Sequence, residues 1–306
     1  MYFSIVIPLY NKSKYIRRCI GSLLKQSFRD FEIVVIDDCS NDESVEKVRT
    51  LSDGRIRICT NETNRGPSYT RNAGIRASRG QYIVFLDADD YVMPGYLATL
   101  RHAILSHPNI HVFGVGIQFG TKKPANRLGS WTILPHYSYH EYACKGQLLL
   151  TSSSSCCERS VFDRAGLFDE SARTIEDPEL WVRVSSNYEI AHYSGKMVVY
   201  DIEAENSLSK SGRRQTAIPV ILDTLITQYQ QSENRNVYML YARFLMTSLW
   251  INTMAGSPKA VVDALDQYAS RLNGVDAWRY RFLKLFNRHS LMAMYWLFRF
   301  IKYRSL

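Results

Sequence analysis

The sequence predicts an α/β fold in which helices flank a mostly parallel sheet, followed by a helical, basic C-terminal region. Three observations predict it. Short β-branched runs alternate with helical patterns through the first 115 residues, a polar stretch interrupts the chain near residues 203–215, and the excess positive charge is confined to the last hundred residues. At 306 residues the chain is long enough for one large α/β domain and an appendage, and 46% hydrophobic with 22% charged residues excludes both a disordered chain and a multi-span membrane protein. The net charge of +9 divides unevenly: residues 1–206 hold 24 basic and 24 acidic side chains, residues 207–306 hold 14 and 5. This sets the expected domains at 1–206 and 207–306, and a basic appendage on a neutral body implies an anionic partner.

Strands are expected at residues 4–9, 31–36, 56–60, 82–86 and 110–114. Tyr15, Ile16, Cys19, Ile20, Leu23 and Leu24 recur at helical spacing and give the first helix one apolar face. Ser40-Asn-Asp-Glu43 fits a capping box for a second helix, and Pro67 after Gly66 fits the first turn of a third. From Gly120 to His140 the pattern loosens, as expected of a surface segment or substrate wall. Beyond the boundary the chain reads as helix, broken at Gly256-Ser-Pro258 and Asn273-Gly274. The six cysteines form no C-x-x-C pair, adjacent Cys156 and Cys157 lack partners at metal-ligand spacing, and the N-terminus reads directly as a strand; structural thiols in a cytoplasmic protein are the expectation.

In sheets of this kind ligands bind outside the carboxyl ends of the strands, here Tyr10-Asn11, Asp37-Asp38 and Asp87-Ala-Asp-Asp90. Three carboxylates in four positions repel one another and call for a cation. Oxygen ligands suit Mg²⁺ or Mn²⁺, which share their remaining sites with water and substrate phosphates, and this points to a nucleoside diphosphate. An acidic turn that caps the following helix would look the same. No glycine-rich dinucleotide fingerprint or P-loop is present, so phosphate must be held through metal and side chains. Pro178 suits a first helical position, which would set Asp177 at a helix N-terminus as a carboxylate stabilised in its ionised form.

Four segments in register, Ser4-Ile-Val-Ile-Pro-Leu-Tyr-Asn11, Phe31-Glu-Ile-Val-Val-Ile-Asp-Asp-Cys-Ser40, Asn64-Arg-Gly66 with Thr70-Arg-Asn-Ala-Gly74, and Tyr82-Ile-Val-Phe-Leu-Asp-Ala-Asp-Asp90, resemble the N-terminal half of glycosyltransferase family 2, the inverting GT-A enzymes. The resemblance runs on through Arg159-Ser-Val-Phe-Asp-Arg-Ala-Gly-Leu-Phe-Asp-Glu170 and Glu176-Asp-Pro-Glu-Leu-Trp181 but does not reach the basic tail. It implies a GT-A, Rossmann-like mixed sheet flanked by helices. It further implies that Pro8 and Tyr10 line the nucleotide, that Asp38 contacts the base, that Asp87 and Asp89 face ribose, diphosphate and metal with Asp89 the metal ligand, and that Asp177 is the catalytic base. Family members often carry a histidine near the polar loop, where this chain has Glu203; Lys210, Arg213 and Arg214 are alternative sources of positive charge there.

The expected activity is transfer of a sugar from a nucleoside diphosphate sugar, by resemblance a UDP-sugar, to a glycan hydroxyl, with Mn²⁺ or Mg²⁺ as cofactor. A sugar-nucleotide pyrophosphorylase and a noncatalytic nucleotide-sugar or nucleic-acid binding protein are the competing classes, although Tyr10-Asn-Lys-Ser-Lys14 does not supply the first with its basic glycine-rich loop. Residues 277–306 hold seven basic and no acidic side chains among many aromatics, with no uncharged run long enough to span a bilayer. Such a helix suits the interface of an anionic membrane, with a lipid-linked glycan as acceptor and no nucleic-acid partner expected. An internal core or dimer seam would use the same aromatics.

Overall fold

The computed structural model describes residues 1–120, 129–147, 149–172, 175–202, 220–287 and 290. Glu203, Lys210, Arg213 and Arg214 lie outside them, as does most of the aromatic tail after Asn287. The chain divides into two compact units, Met1–Glu205 and Asn206–Leu306.

In the first unit β1 (Phe3–Leu9), α1 (Ile16–Leu24), β2 (Phe31–Asp37), α2 (Ser44–Arg49), β3 (Ile56–Thr60), α3 (Pro67–Ala77) and β4 (Tyr82–Phe85) alternate as β-α-β units. After them come β5 (Tyr91–Val92), α4 (Tyr96–Ser106), β6 (Val112–Phe119), β7 (Trp131–Leu134), α5 (Ser138–Cys144), β8 (Ser155–Glu158), α6 (Ser160–Ala165), α7 (Glu176–Asn187) and β9 (Ile190–Tyr200). The sheet runs β3-β2-β1-β4-β8-β6-β9-β5, with β7 also on β9. Its first four strands are parallel, whereas β8 enters antiparallel to both β4 and β6. The sheet is therefore mixed.

β1 and β2 are buried along almost their whole length because helices cover both faces, which is why they read as continuous β-branched runs. On one face Ile5, Ile7, Leu9, Ile33 and Val35 meet Ile16, Cys19, Ile20 and Leu23 of α1 and Leu97, Leu100 and Ile104 of α4. Each such aliphatic side chain contributes roughly 1.5–3 kcal/mol on burial. On the other face α3 lies so close to β1 that a Cβ at Gly74 would fall 2.2 Å from Val6 Cγ1.

Several expectations are corrected. The capping box does not form: α2 starts at Ser44, and the Ser40 hydroxyl instead accepts the Asn11 N–H at 3.0 Å. The segment expected to be loose contains β7 and α5. Cys156 and Cys157, by contrast, are buried structural thiols as expected, fully covered in β8, where desolvation pushes both above their ordinary range.

The second unit contains α8 (Ile221–Ser232), α9 (Arg235–Ala255), α10 (Lys259–Ala264), α11 (Asp266–Ala269) and α12 (Gly274–Lys284). The Asn234 side chain caps α9 by accepting the Asn236 N–H, and Gly256 ends it in the left-handed region. Leu222, Leu225, Val237, Leu240, Leu245 and Leu265 are buried, and the Tyr268 hydroxyl donates to Asp223 at 3.1 Å. On α12 Tyr280 is buried while Val275, Trp278 and Phe282 are exposed, as is Leu285 just beyond its end, with Trp278 stacked on Phe282. Two of its cations are paired: Lys284 with Asp263 and Asp266, Arg279 with Asp276. Among the described residues no helix is long and apolar enough to cross a membrane.

Candidate active site

The ends of β1, β2 and β4 bring the sequence-predicted residues to one rim of the sheet. After β1, Tyr10 is exposed and Asn11 turns the chain through a left-handed φ of 51°, held by its N–H on Ser40 Oγ and by Asn41 N–H on its own Oδ1 at 2.9 Å. After β2, Asp37 and Asp38 are buried. Asp38 Oδ1 accepts from Asn61 Nδ2 at 2.8 Å and Arg65 N at 2.9 Å, and Oδ2 from Gly66 N at 2.8 Å. The carboxylate thus pins the segment leading into α3. Three of its roughly four lone-pair positions are used, so a nucleobase contact is left one acceptor position on Oδ2.

The aspartates after β4 each have a different partner. Asp87 Oδ1 accepts from Arg71 Nη2 at 2.9 Å. Asp89 Oδ2 pairs with Lys12 Nζ at 2.7 Å, and its carbonyl accepts from Arg18 Nη2 at 2.7 Å. Asp90 is buried between Ser153 Oγ at 2.5 Å and Asp201 N at 3.1 Å; desolvation, with the charges of Asp87 and Asp89 adding to it, pushes its carboxyl well above the usual range.

Asp177 is the second residue of α7, not the residue before it, and Pro178 is the third. The preceding Ile175 is held at a left-handed φ of 64°, an outlier for a β-branched side chain. Ser152 donates to the Asp177 carboxylate twice, from its N–H at 2.7 Å to Oδ2 and from its hydroxyl to Oδ1. Burial among protein groups pushes the Asp177 carboxyl up to about 6; Arg71 and Ser152 oppose the rise, and Glu176 and Asp87 add to it. The expected stabilisation by the helix terminus is outweighed by desolvation, because the side chain keeps only 22% of its surface exposed. The carboxylate still ionises below neutrality, as suits a general base.

Arg71 joins the two halves of the site. Its side chain is 6% exposed; Nη2 meets Asp87, and Nη1 meets Glu176 Oε1 at 3.0 Å and Asp177 Oδ1 at 3.5 Å. Burial alone would lower its pKa, but the three carboxylates raise it. Arg71, Lys12, Ser152 and Ser153 are the functional candidates that sequence reasoning missed. Arg71 stands inside the Thr70-Arg-Asn-Ala-Gly74 motif, yet nothing local distinguishes it from Arg65 or Arg76.

Among the described residues no three His, Cys, Asp or Glu side chains cluster as a metal site. Asp89 nevertheless fits a hard cation in one respect: its Oδ1 has no hydrogen bond to a described residue, and Mg²⁺ or Mn²⁺ is commonly held by one or two carboxylates with water and phosphate completing the shell.

A Haemophilus influenzae uncharacterized glycosyltransferase is 35% identical over 114 residues, 35% of this chain and 46% of that protein. The poly(ribitol-phosphate) beta-N-acetylglucosaminyltransferase TarS of Staphylococcus aureus is 41% identical over 98 residues, 30% of this chain and 17% of that protein. The chain thus spans less than half the length of either curated relative. The crystal structure of S. aureus TarS 1–349 in complex with UDP-GlcNAc superposes with a TM-score of 0.68 at 19% identity, covering 96% of this chain and 92% of that one, and so shares the fold. Residues 4–165 match the family described as Glycosyl transferase family 2. More than half of the sequence lies in that match, and the chain belongs to glycosyl transferase family 2.

Proposed function

We propose that the chain is an inverting glycosyltransferase that moves a sugar from a nucleoside diphosphate sugar, by preference a UDP-sugar, to a glycan hydroxyl, lipid-linked in the synthesis of a cell-surface polysaccharide. The observation that carries this reading is the meeting of Asp87 and Asp177 on the Arg71 guanidinium. It sets a carboxylate that burial pushes up to about 6 beside the acidic end of β4, where α/β sheets take their ligands. The UDP-GlcNAc bound by TarS supports the choice of nucleotide.

The acceptor hydroxyl gives its proton to Asp177 as its oxygen attacks the anomeric carbon; the bond to the diphosphate oxygen breaks, and the configuration inverts. Base catalysis of this kind contributes typically ~10²- to 10⁴-fold. Ser152 keeps the base oriented through its two hydrogen bonds. Pro8 and Tyr10 line the nucleotide, Asp38 holds the segment beside it and accepts from the base, and Asp87 faces the ribose. Mn²⁺ or Mg²⁺ held through Asp89 would supply positive charge to the departing diphosphate. The protein works at the inner face of the membrane, attached peripherally by the exposed apolar stripe of α12.

A thermal-shift screen of nucleotide sugars with Mn²⁺ or with EDTA, followed by hydrolysis of the stabilising compound, tests the reading. Release of a nucleoside diphosphate and the inverted sugar is expected. Conversion of the compound to a nucleoside triphosphate and a sugar 1-phosphate when pyrophosphate is added, or stabilisation by no nucleotide sugar, overturns it.

A further inference from the structure

One cation at the rim has a place in the fold that stability does not explain. The backbone of Lys12 is fixed on both sides: its N–H donates to Ser44 Oγ at 2.8 Å, and its carbonyl accepts from Tyr15 N at 2.9 Å and Ile16 N at 3.0 Å. With Asn11 turned left-handed just before it, the side chain leaves the end of β1 and crosses to the end of β4, where Nζ sits on Asp89 Oδ2. Both side chains are largely covered, at 13% and 15% exposure. Taking such a pair out of water returns little net stability, and ordering a long lysine side chain opposes it further. An isolated fold has no need of this contact.

A ligand gives it a reason. Among the described residues, the carboxylates of Asp87, Asp89, Glu176 and Asp177 meet two cations, Arg71 and Lys12, while Arg18 holds the Asp89 carbonyl. Arg71 is a planar fork already divided among three carboxylates and buried. Lys12 carries a compact point charge on a flexible stem, which turns to a new anion without moving the backbone. It also occupies the oxygen of the aspartate expected to hold a divalent cation.

Resting on the sugar-donor reading above, we propose that Lys12 is a diphosphate-binding residue: its ammonium holds Asp89 in the ligand-free protein and transfers to the diphosphate when nucleotide binds, which opens Asp89 Oδ2 to a divalent cation. Two effects of opposite sign result. Without the ammonium, a nucleoside diphosphate binds more weakly in the absence of metal, and Mn²⁺ alone binds more tightly.

Calorimetric titration of the full chain with UDP in EDTA, UDP in Mn²⁺, and Mn²⁺ alone tests both, using wild type, Lys12→Met and Lys12→Arg. Lys12→Met is expected to lose about tenfold or more in UDP affinity in EDTA, equivalent to about 1.4 kcal/mol, and to gain about threefold or more for Mn²⁺ alone. Lys12→Arg should restore most of the UDP affinity, and as a charge-conserving variant it remains the comparator if Lys12→Met melts early. Equal UDP affinity of wild type and Lys12→Met in EDTA overturns the proposal, and so does unchanged Mn²⁺ affinity. Wild type that binds UDP in Mn²⁺ but not in EDTA overturns it while leaving the sugar-donor reading intact. Failure of UDP, GDP, CDP and dTDP alike to bind in Mn²⁺ overturns both.

Discussion

Replacing Arg71 tests whether the two halves of the site act as one. The guanidinium lies 2.9 Å from Asp87, 3.0 Å from Glu176 and 3.5 Å from Asp177. At 3.5 Å an opposite charge in an effective dielectric of about 20 is worth about 5 kcal/mol before the desolvation of either partner is counted. An arginine beside an aspartate accordingly lowers its pKa by roughly 1–3 units. Without Arg71 the Asp177 carboxyl should therefore rise from about 6 to about 8, with Asp87 and Glu176 pushing the same way once they are no longer neutralised. At pH 7 the ionised fraction would fall from about nine in ten to about one in ten. The assay is the pH dependence of kcat/KM for hydrolysis of the stabilising nucleotide sugar between pH 5 and 9, in Arg71→Met and Arg71→Lys. The acid limb should move from about 6 to about 8 in Arg71→Met and stop between the two in Arg71→Lys, which keeps a charge but not the fork. Breaking a buried ion pair costs about 3–5 kcal/mol, so circular dichroism must report folding alongside, and Arg71→Lys carries the test if Arg71→Met unfolds. A uniform loss of rate with the limb still near 6 would refute the reasoning: Arg71 would then shape the site without acting on the base.

Asp89→Ala should abolish the Mn²⁺-dependent part of nucleotide affinity, read by calorimetry. Asp87→Ala should weaken it less, because Asp87 Oδ1 is already spent on Arg71; unchanged Mn²⁺-dependent affinity in Asp89→Ala would remove the metal from that residue. The folded pKa of Asp177, about 6, lies above the ordinary 3.8, so its ionised form opposes folding, and the stability present below about pH 4 is lost as pH rises through 6. Asp177→Asn should therefore bind nucleotide normally, lose turnover, and resist urea better at pH 7.5 by up to about 3 kcal/mol with no gain at pH 4; equal stability at both values would contradict the burial argument. Trp278→Ser with Phe282→Ser, both exposed and away from buried Tyr280, should lower recovery with floating anionic liposomes, and unchanged recovery would exclude α12 as the attachment.

Legibility in the sequence tracks the physics of each element. β1, β2 and β4 are buried on both faces and so read as β-branched runs. β8 is just as buried, but Ser-Cys-Cys-Glu carries no strand signal, since its place between β4 and β6 is set by pairing and not by propensity. At the site the carboxylates are visible because a strand end concentrates them. Their partners are not: Lys12 reaches Asp89 across 77 residues and Arg71 reaches Glu176 across 105, and no local pattern marks a side chain whose role exists only in three dimensions. The capping box fails for a related reason, as Ser40 satisfies the strained turn at Asn11 instead of its own helix.

That strain is distributed in a way that bears on function. Of the five non-glycine residues with left-handed φ among the described residues, Asn11 follows β1, Cys39 follows β2 and Ile175 precedes Asp177. Such conformations cost roughly 1–3 kcal/mol each and persist only where the surroundings over-determine them. All three have identifiable restraints: Cys39 lies between Asp38, whose N–H donates to the Leu9 carbonyl at 2.8 Å, and Ser40, whose N–H donates to Asp37 Oδ1 at 3.2 Å. Asn11 is held by Ser40 and Asn41, while the carbonyl of Ile175 accepts the Glu179 N–H at 3.2 Å as α7 begins and Asp177 is fixed by Ser152. An asparagine tolerates the left-handed region; a β-branched isoleucine does not, and a helix start designed for stability alone would place glycine or asparagine there. The isoleucine turn aims the first residue pair of α7 back at Arg71, so the carboxylates are held in place before any ligand arrives. For the reaction proposed above, a carboxylate fixed in advance need not be reordered as it takes the acceptor's proton, which is the sense in which a preorganised site lowers a barrier. The strain at Ile175 and the buried guanidinium are two parts of one restraint, and a substitution that relaxes either should loosen Asp177, the proposed base, from Asp87 at the end of β4.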